Sequence, residues 1–220
     1  MSGKALSACI FLLLLASNYG YAQIAIGAGF ECGTAVFINK GVFAGRPSVG
    51  LAGILSYAPR ESKLFPSVTY LIKNIVVPID NDHYPGLNGL ATSQNFALNL
   101  NYGTRCESTY NQLFIGIGIA KIRPQTDLSD KMGNAVTLID TANFNLYPMI
   151  QIGGKYMRRI LNNASFYVGI EAHLRYIRMH SENVYYLQQD LSSVKATIAG
   201  EIISPGLQVH LDYFFGRDGD

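Results

Sequence analysis

The sequence predicts an all-β protein: a signal peptide over residues 1–22, then an eight-stranded antiparallel up-and-down transmembrane β-barrel over residues 23–220. Three observations lead there. Eight stretches alternate apolar with small or polar residues at a period of two, the repeat of a strand whose two faces meet different surroundings. The connections between them run long, short, long, short, so both termini fall on the short-turn side. The parity opposite the apolar one carries glycines and amides, where a water-facing surface would carry Lys and Glu.

The opening segment is read as a targeting signal. Lys4 supplies the positive start, residues 10–16 the apolar stretch, and Gly20-Tyr21-Ala22 the small residues of a cleavage site after Ala22. The apolar run is shorter than the roughly 20 residues that a helical span needs. Leu6-Ser7-Ala8-Cys9 has the letters of a lipoprotein box but precedes the apolar run instead of following it. Charged residues make up 15% of the chain, against about 25% in soluble domains. With a net charge of +2, there is no basic patch to suggest nucleic acid.

The strands follow in order. The first, residues 23–32, places Ile24, Ile26, Ala28 and Phe30 on one face and Ala25, Gly27, Gly29 and Glu31 on the other. Residues 33–47, with Gly41, Gly45 and Pro47, are expected to form a long loop. The second strand covers 48–57 and the third starts near Phe65. The third loses its phase after Lys73, where Ile75, Val76 and Val77 fill both parities. A loop over 78–91 leads to the fourth strand, 92–102, in which Phe96, Leu98, Leu100 and Tyr102 alternate with Asn95, Ala97, Asn99 and Asn101. The fifth strand, 110–122, alternates Leu113, Ile115, Ile117 and Ile119 with Phe114, Gly116, Gly118 and Ala120. The longest loop, 123–144, comes next. In the sixth strand, 145–157, Pro148 marks a bulge or an end. The seventh, 164–179, sets Phe166, Val168, Ile170 and Leu174 against Tyr167, Gly169, Glu171, His173 and Arg175. After a loop over 180–194, the eighth strand is expected to change phase near Ser204-Pro205 and then run as Gly206 to Phe215.

Alternation alone does not say which face meets lipid, since a soluble lipocalin-like ligand carrier alternates too, with its apolar side inward. Gly27, Gly29, Gly116, Gly118, Gly153 and Gly169 share a parity with Asn99, Asn101, Gln112 and Gln151. These suit the cramped interior of a narrow barrel, where polar groups must satisfy one another. Tyr57, Tyr70, Tyr102, Tyr156, Tyr176 and Tyr213 lie on the apolar parity and suggest an aromatic girdle.

On this topology and on the closing stretch, where Ser204, Gly206, Val209, Leu211, Tyr213 and Phe215 follow a terminal-strand pattern, the chain resembles the OmpA/OmpX-type outer-membrane β-barrels, particularly those common in Bacteroidetes. The resemblance covers the mature chain, except that residues 216–220 run past the terminal aromatic. It implies an address in the outer membrane of a Gram-negative bacterium. It also implies insertion by the barrel-assembly machinery through Gly206, Val209, Leu211, Tyr213 and Phe215, a monomer surrounded by lipid, and long loops free for an extracellular partner.

The interior charges are the sharpest polar feature. Glu31, Lys73, Lys155, Glu171, His173, Arg175, Gln208, His210 and Asp212 are expected to form a lumen network. If Glu171 lies opposite Asp212, then His173 meets His210 and Arg175 meets Gln208. His173, His210, Glu171 and Asp212 have a metal or proton-gate reading, and the set as a whole has a plainer one, a structural plug that fills the bore. The plainer reading is adopted, with no catalytic, cofactor or metal site and no general diffusion pore. The alternative is a lipid A deacylase or acyltransferase using His180, Ser181 and Glu182, with Ser192 or Ser193. Contiguous residues of one strand point to opposite faces and cannot form a triad alone. Gly27-Ala28-Gly29 lies inside a strand with no helix after it, so it is no dinucleotide fingerprint. Cys32 and Cys106 are expected at opposite ends of the barrel and unbonded.

Overall fold

The computed structural model describes residues 22–39, 42–59, 63–79, 87–106, 108–129, 135–140, 146–160, 165–187 and 193–215. Its strands are β1 (Ala22–Asn39), β2 (Val42–Pro59), β3 (Leu64–Ile79), β4 (Leu87–Cys106), β5 (Thr109–Ser129), β6 (Ala135–Asp140), β7 (Leu146–Arg159), β8 (Phe166–Leu187) and β9 (Ser193–Phe215). Every pairing is antiparallel. Because β9 pairs with β1 as well as with β8, the sheet closes on itself. Eight strands make the wall. The ninth, β6, is a short piece within the expected 123–144 loop and bridges the outer ends of β5 and β8. The signal segment lies outside the described residues except for Ala22, which pairs with Pro59.

The connections on the long side differ from expectation. Residues 33–47 are not a loop: β1 and β2 stay paired from Ala22↔Pro59 to Asn39↔Val42. The alternation simply continues, with Ala35 and Phe37 inside, and the ladder carries it to the end of β1. A tilted strand needs about 9–11 residues to cross a bilayer; β8 has 22 and β9 has 23. The surplus forms hairpins that project beyond the long side.

The phase change expected near Ser204-Pro205 is absent. Ile202, Ser204, Gly206, Gln208, His210 and Asp212 are all inward and Pro205 is outward. The irregularity lies earlier, where β8 shifts register between Met179 and Glu182 and Gly200 takes φ 137°, a conformation that a side chain disfavours. Pro205 acts on the ladder instead: pairing of β1 with β9 stops at Gly33↔Gly206 and resumes at Val36↔Ile203, because proline has no N–H to donate. Pro148 sits near the start of β7, outward, and its pairing to β8 begins only at Met149. The ladder from β7 to β5 runs on past it to Leu146, so Pro148 ends only the pairing with β8.

The two faces separate cleanly. Leu51, Leu113, Ile115 and Ile117 are 61–68% exposed on the outside. A belt of that kind is stable in hydrocarbon and not in water. Tyr57, Tyr102, Tyr156 and Tyr213 stand near the short-turn ends of their strands on this outer face, joined by Phe166 and Phe215. Tyr70 and Tyr176 lie further along their strands and do not belong to that rim. Cys32 is a free thiol on the outer face, and Cys106 ends β4, which is no neighbour of β1.

Candidate functional site

Side chains fill the bore in layers. At the short-turn end Phe65 stacks on Tyr110 with ring centres 6.0 Å apart, Tyr110 meets Phe214 edge-on, and Phe214 meets Tyr167 at 4.8 Å. Arg159 holds this layer from the rim, donating from Nη2 to the Tyr167 hydroxyl at 3.0 Å.

Above it lies the polar section. A first cluster joins Lys155, His210 and Asp212: Lys155 Nζ is 2.6 Å and His210 Nδ1 2.8 Å from Asp212 Oδ2. A second cluster centres on Glu31. Its Oε2 accepts from Arg175 Nη1 at 2.6 Å and lies 3.3 Å from His173 Nε2, while its Oε1 accepts from Lys73 Nζ at 3.3 Å. Lys73 also donates to Ser204 Oγ at 2.6 Å, and His173 Nδ1 is 3.1 Å from Glu171 Oε1. From Arg175 a chain of amides crosses the bore: Arg175 Nε donates to Gln151 Oε1 at 2.8 Å, Gln151 Nε2 to Asn99 Oδ1 at 2.5 Å, and Asn99 Nδ2 to Thr69 Oγ1 at 2.9 Å. Among the described residues the buried carboxylates and cations balance. Glu31, Glu171 and Asp212 stand against Lys73, Lys155 and Arg175, as a low-dielectric interior demands.

Beyond the polar section, toward the projecting hairpins, the interior turns apolar. Phe37, Ile75, Ile122, Met149, Ile177 and Ile202 form one buried cluster. The sequence reading missed this layer. In the sequence the inward parity reads as small or polar residues, and the apolar run after Lys73 reads as lost phase. Here both faces are apolar, so alternation vanishes although the strand continues, with Ile75 inside.

All nine residues of the expected lumen network are buried, but their register differs. Glu171 lies opposite Gln208, His173 opposite Gly206, Arg175 opposite Ser204, and His210 opposite Gly169. The expected pairs Glu171–Asp212, His173–His210 and Arg175–Gln208 do not form. The reason is steric. A Cβ on Gly206 would collide with His173 Nε2, and one on Gly169 with His210 Cε1. Each imidazole takes a glycine as its neighbour, and two imidazoles opposite one another would have no such space. His173 therefore joins Glu31 and Glu171 while His210 joins Asp212 and Lys155, and the four-residue metal constellation is split. Among the described residues no group of three or more His, Cys, Asp or Glu is placed to hold a metal ion. The side chains of His180, Ser181, Glu182 and Ser193, and all of Ser192, lie outside the described residues.

The closing stretch is β9. Gly206, Val209, Leu211, Tyr213 and Phe215 pair with Gly33, Phe30, Ala28, Ile26 and Ile24 of β1. Val209, Leu211 and Phe215 are about half exposed on the belt.

No family model matches the sequence, and no curated protein matches it. The fold is shared with solved outer-membrane proteins. A major outer membrane protein of Thermus thermophilus aligns at TM-score 0.55 with 10% identity, over 88% of this chain and 99% of that one. OprG from Pseudomonas aeruginosa aligns at TM-score 0.55 with 9% identity, over 90% and 98%. Ail, the attachment invasion locus protein of Yersinia pestis, aligns at TM-score 0.47 with 10% identity, over 89% and 99%. The two alignments above TM-score 0.5 show that the chain has the closed antiparallel fold of outer-membrane β-barrels, and its aliphatic belt is the face that such a barrel turns to lipid.

Proposed function

We propose that the chain is a non-enzymatic integral protein of the outer membrane whose bore is plugged by its own side chains. Its role is structural or in surface interaction, exercised through the hairpins beyond the belt. The observation that carries this reading is the interior itself: an aromatic layer, a charge-balanced polar section and an apolar layer in series. An eight-stranded barrel has a bore about wide enough for side chains alone. Three buried cations stand against three carboxylates among the described residues, so the polar section has no surplus charge of one sign to draw an ion through it. The residues 1–22 direct export, and the terminal strand from Gly206 to Phe215 presents the monomer to the assembly machinery. An extracellular partner would meet the projecting hairpins, since recognition concentrates where a rigid scaffold ends.

Reconstitution into planar lipid bilayers tests the plug. Protein shown to be inserted gives no stepwise conductance above that of protein-free membranes. Stable, reproducible channel steps from inserted wild-type protein would overturn it.

A further inference from the structure

The belt has a notch. Outward positions form rows across neighbouring strands, and one row reads Tyr102, Leu113, Gly154 and Ala172 on β4, β5, β7 and β8. Leu113 is 66% exposed and stands well out from the wall, whereas Gly154 has no side chain and Ala172 only a methyl. The next row toward the barrel middle is all large: Leu100, Ile115, Ile152 and Leu174. The row toward the rim ends in Tyr156 and Ile170. A groove of about 580 Å³ results, within the range of small-molecule sites, roughly 300–1,000 Å³.

Its chemistry is graded. Gly154 and Ala172 lie between Tyr102, Leu113, Tyr156 and Ile170, and Gln112 and Lys155, both buried, complete the lining. At the rim end the lining includes Thr104 and Asn111, paired with each other across β4 and β5. Both are exposed, and Arg158 stands exposed one row further toward the rim, opposite Thr109. Apolar depth, then hydroxyl and amide, then a cation is the order of an acyl chain, a glycerol ester and a phosphate.

We propose that this notch is a binding site for one glycerophospholipid of the leaflet at the short-turn end. One acyl chain lies over Gly154 and Ala172, the ester region meets Thr104 and Asn111, and the phosphate meets Arg158. The occupant is a lipid because the groove is continuous with the belt that bilayer already covers. The inference rests on the membrane-embedded reading above. It adds that lipid contact is not uniform around the barrel. The glycine at 154 is tolerant: a Cβ there would approach only Leu113 Cδ2, at 3.3 Å, and Gln112 O, at 3.6 Å. Packing inside the wall therefore does not demand a glycine at this position.

The test uses the full-length barrel in phosphatidylcholine vesicles doped with a phosphatidylethanolamine that carries a diazirine in one acyl chain. After illumination, mass spectrometry of peptides maps the adducts. The site predicts an excess on β5, β7 and β8 near Leu113, Gly154 and Ala172 over the opposite wall near Ala28 and Leu51. Ala172→Leu fills the notch with a belt-compatible side chain and lowers the excess to the level of the opposite wall. Arg158→Leu leaves the notch open but abolishes the preference for this probe over a diacylglycerol with the same diazirine chain. Even labelling around the belt, or an excess that survives Ala172→Leu, would overturn the site while leaving the barrel in the membrane. Labelling of no belt peptide at all would sink the membrane reading and the site with it.

Discussion

Glu31 and Arg175 meet across an intervening strand. Nη1 of Arg175 on β8 donates to Oε2 of Glu31 on β1 at 2.6 Å, although β9 lies between the two strands in the wall. Such a contact needs the tight curvature of a narrow barrel and slender residues on β9, and Ser204 and Gly206 provide them. It ties the first strand of the chain to the next-to-last, over 144 residues of sequence, so it forms only when the barrel has closed.

Removing one partner leaves the other charged and buried. Glu31→Leu is expected to destabilise the barrel by about 3–5 kcal/mol, because Arg175 and Lys73 both lose their carboxylate. Arg175→Met is expected to cost a similar amount. The double variant Glu31→Leu/Arg175→Met is expected to lose markedly less than the sum, since no partner of this pair is then left unpaired. Urea unfolding of the reconstituted protein, followed by electrophoretic mobility, measures all three.

The two histidines rest on glycines, which gives a second expectation. Gly206→Ala drives a methyl into the His173 ring, an overpacking worth about 1–3 kcal/mol. Combining it with His173→Ala removes the collision, so the cost of the added methyl should shrink in that background. A methyl that costs the same with or without the ring would mean that His173 does not lie over Gly206. The register of β8 against β9 would then be wrong.

Depth on the belt gives a third. Ile117, 67% exposed between Leu98 and Ile150, lies in the middle of β5. Ile117→Arg is expected to cost about 2–4 kcal/mol, whereas Thr104→Arg, near the rim, should cost about 0–1 kcal/mol. Equal effects at the two positions in a vesicle unfolding assay would place the belt elsewhere.

The wall is readable from residues alone, because lipid outside and packed polar groups inside impose the same period of two on every strand. Leu98 and Asn99, or Ile117 and Gly116, announce their faces without help. Three features are not readable. The apolar layer of Phe37, Ile75 and Ile202 hides because it makes both faces of its strands alike. The projecting hairpins hide because Gly33, Gly45 and Pro47 spell a loop, and only the ladder from Ala22 to Asn39 shows them paired. The grouping of the interior charges hides because period two fixes which face a side chain takes but not its partner across the sheet. Shifting β9 by an even number of residues keeps every parity, and ring-over-glycine packing selects the register that alternation leaves open.

The placement of every residue above depends on the aliphatic parity facing lipid around a closed barrel. Membrane fractionation followed by electrophoresis with and without boiling tests it most directly. The protein is expected with the outer membrane, and its unboiled band ahead of the boiled one, since a closed barrel resists detergent until heated. A soluble periplasmic protein with no heat shift would contradict it. The belt of Leu51, Leu113, Ile115 and Ile117 would then line a ligand cavity, and the residues placed in the bore would face water.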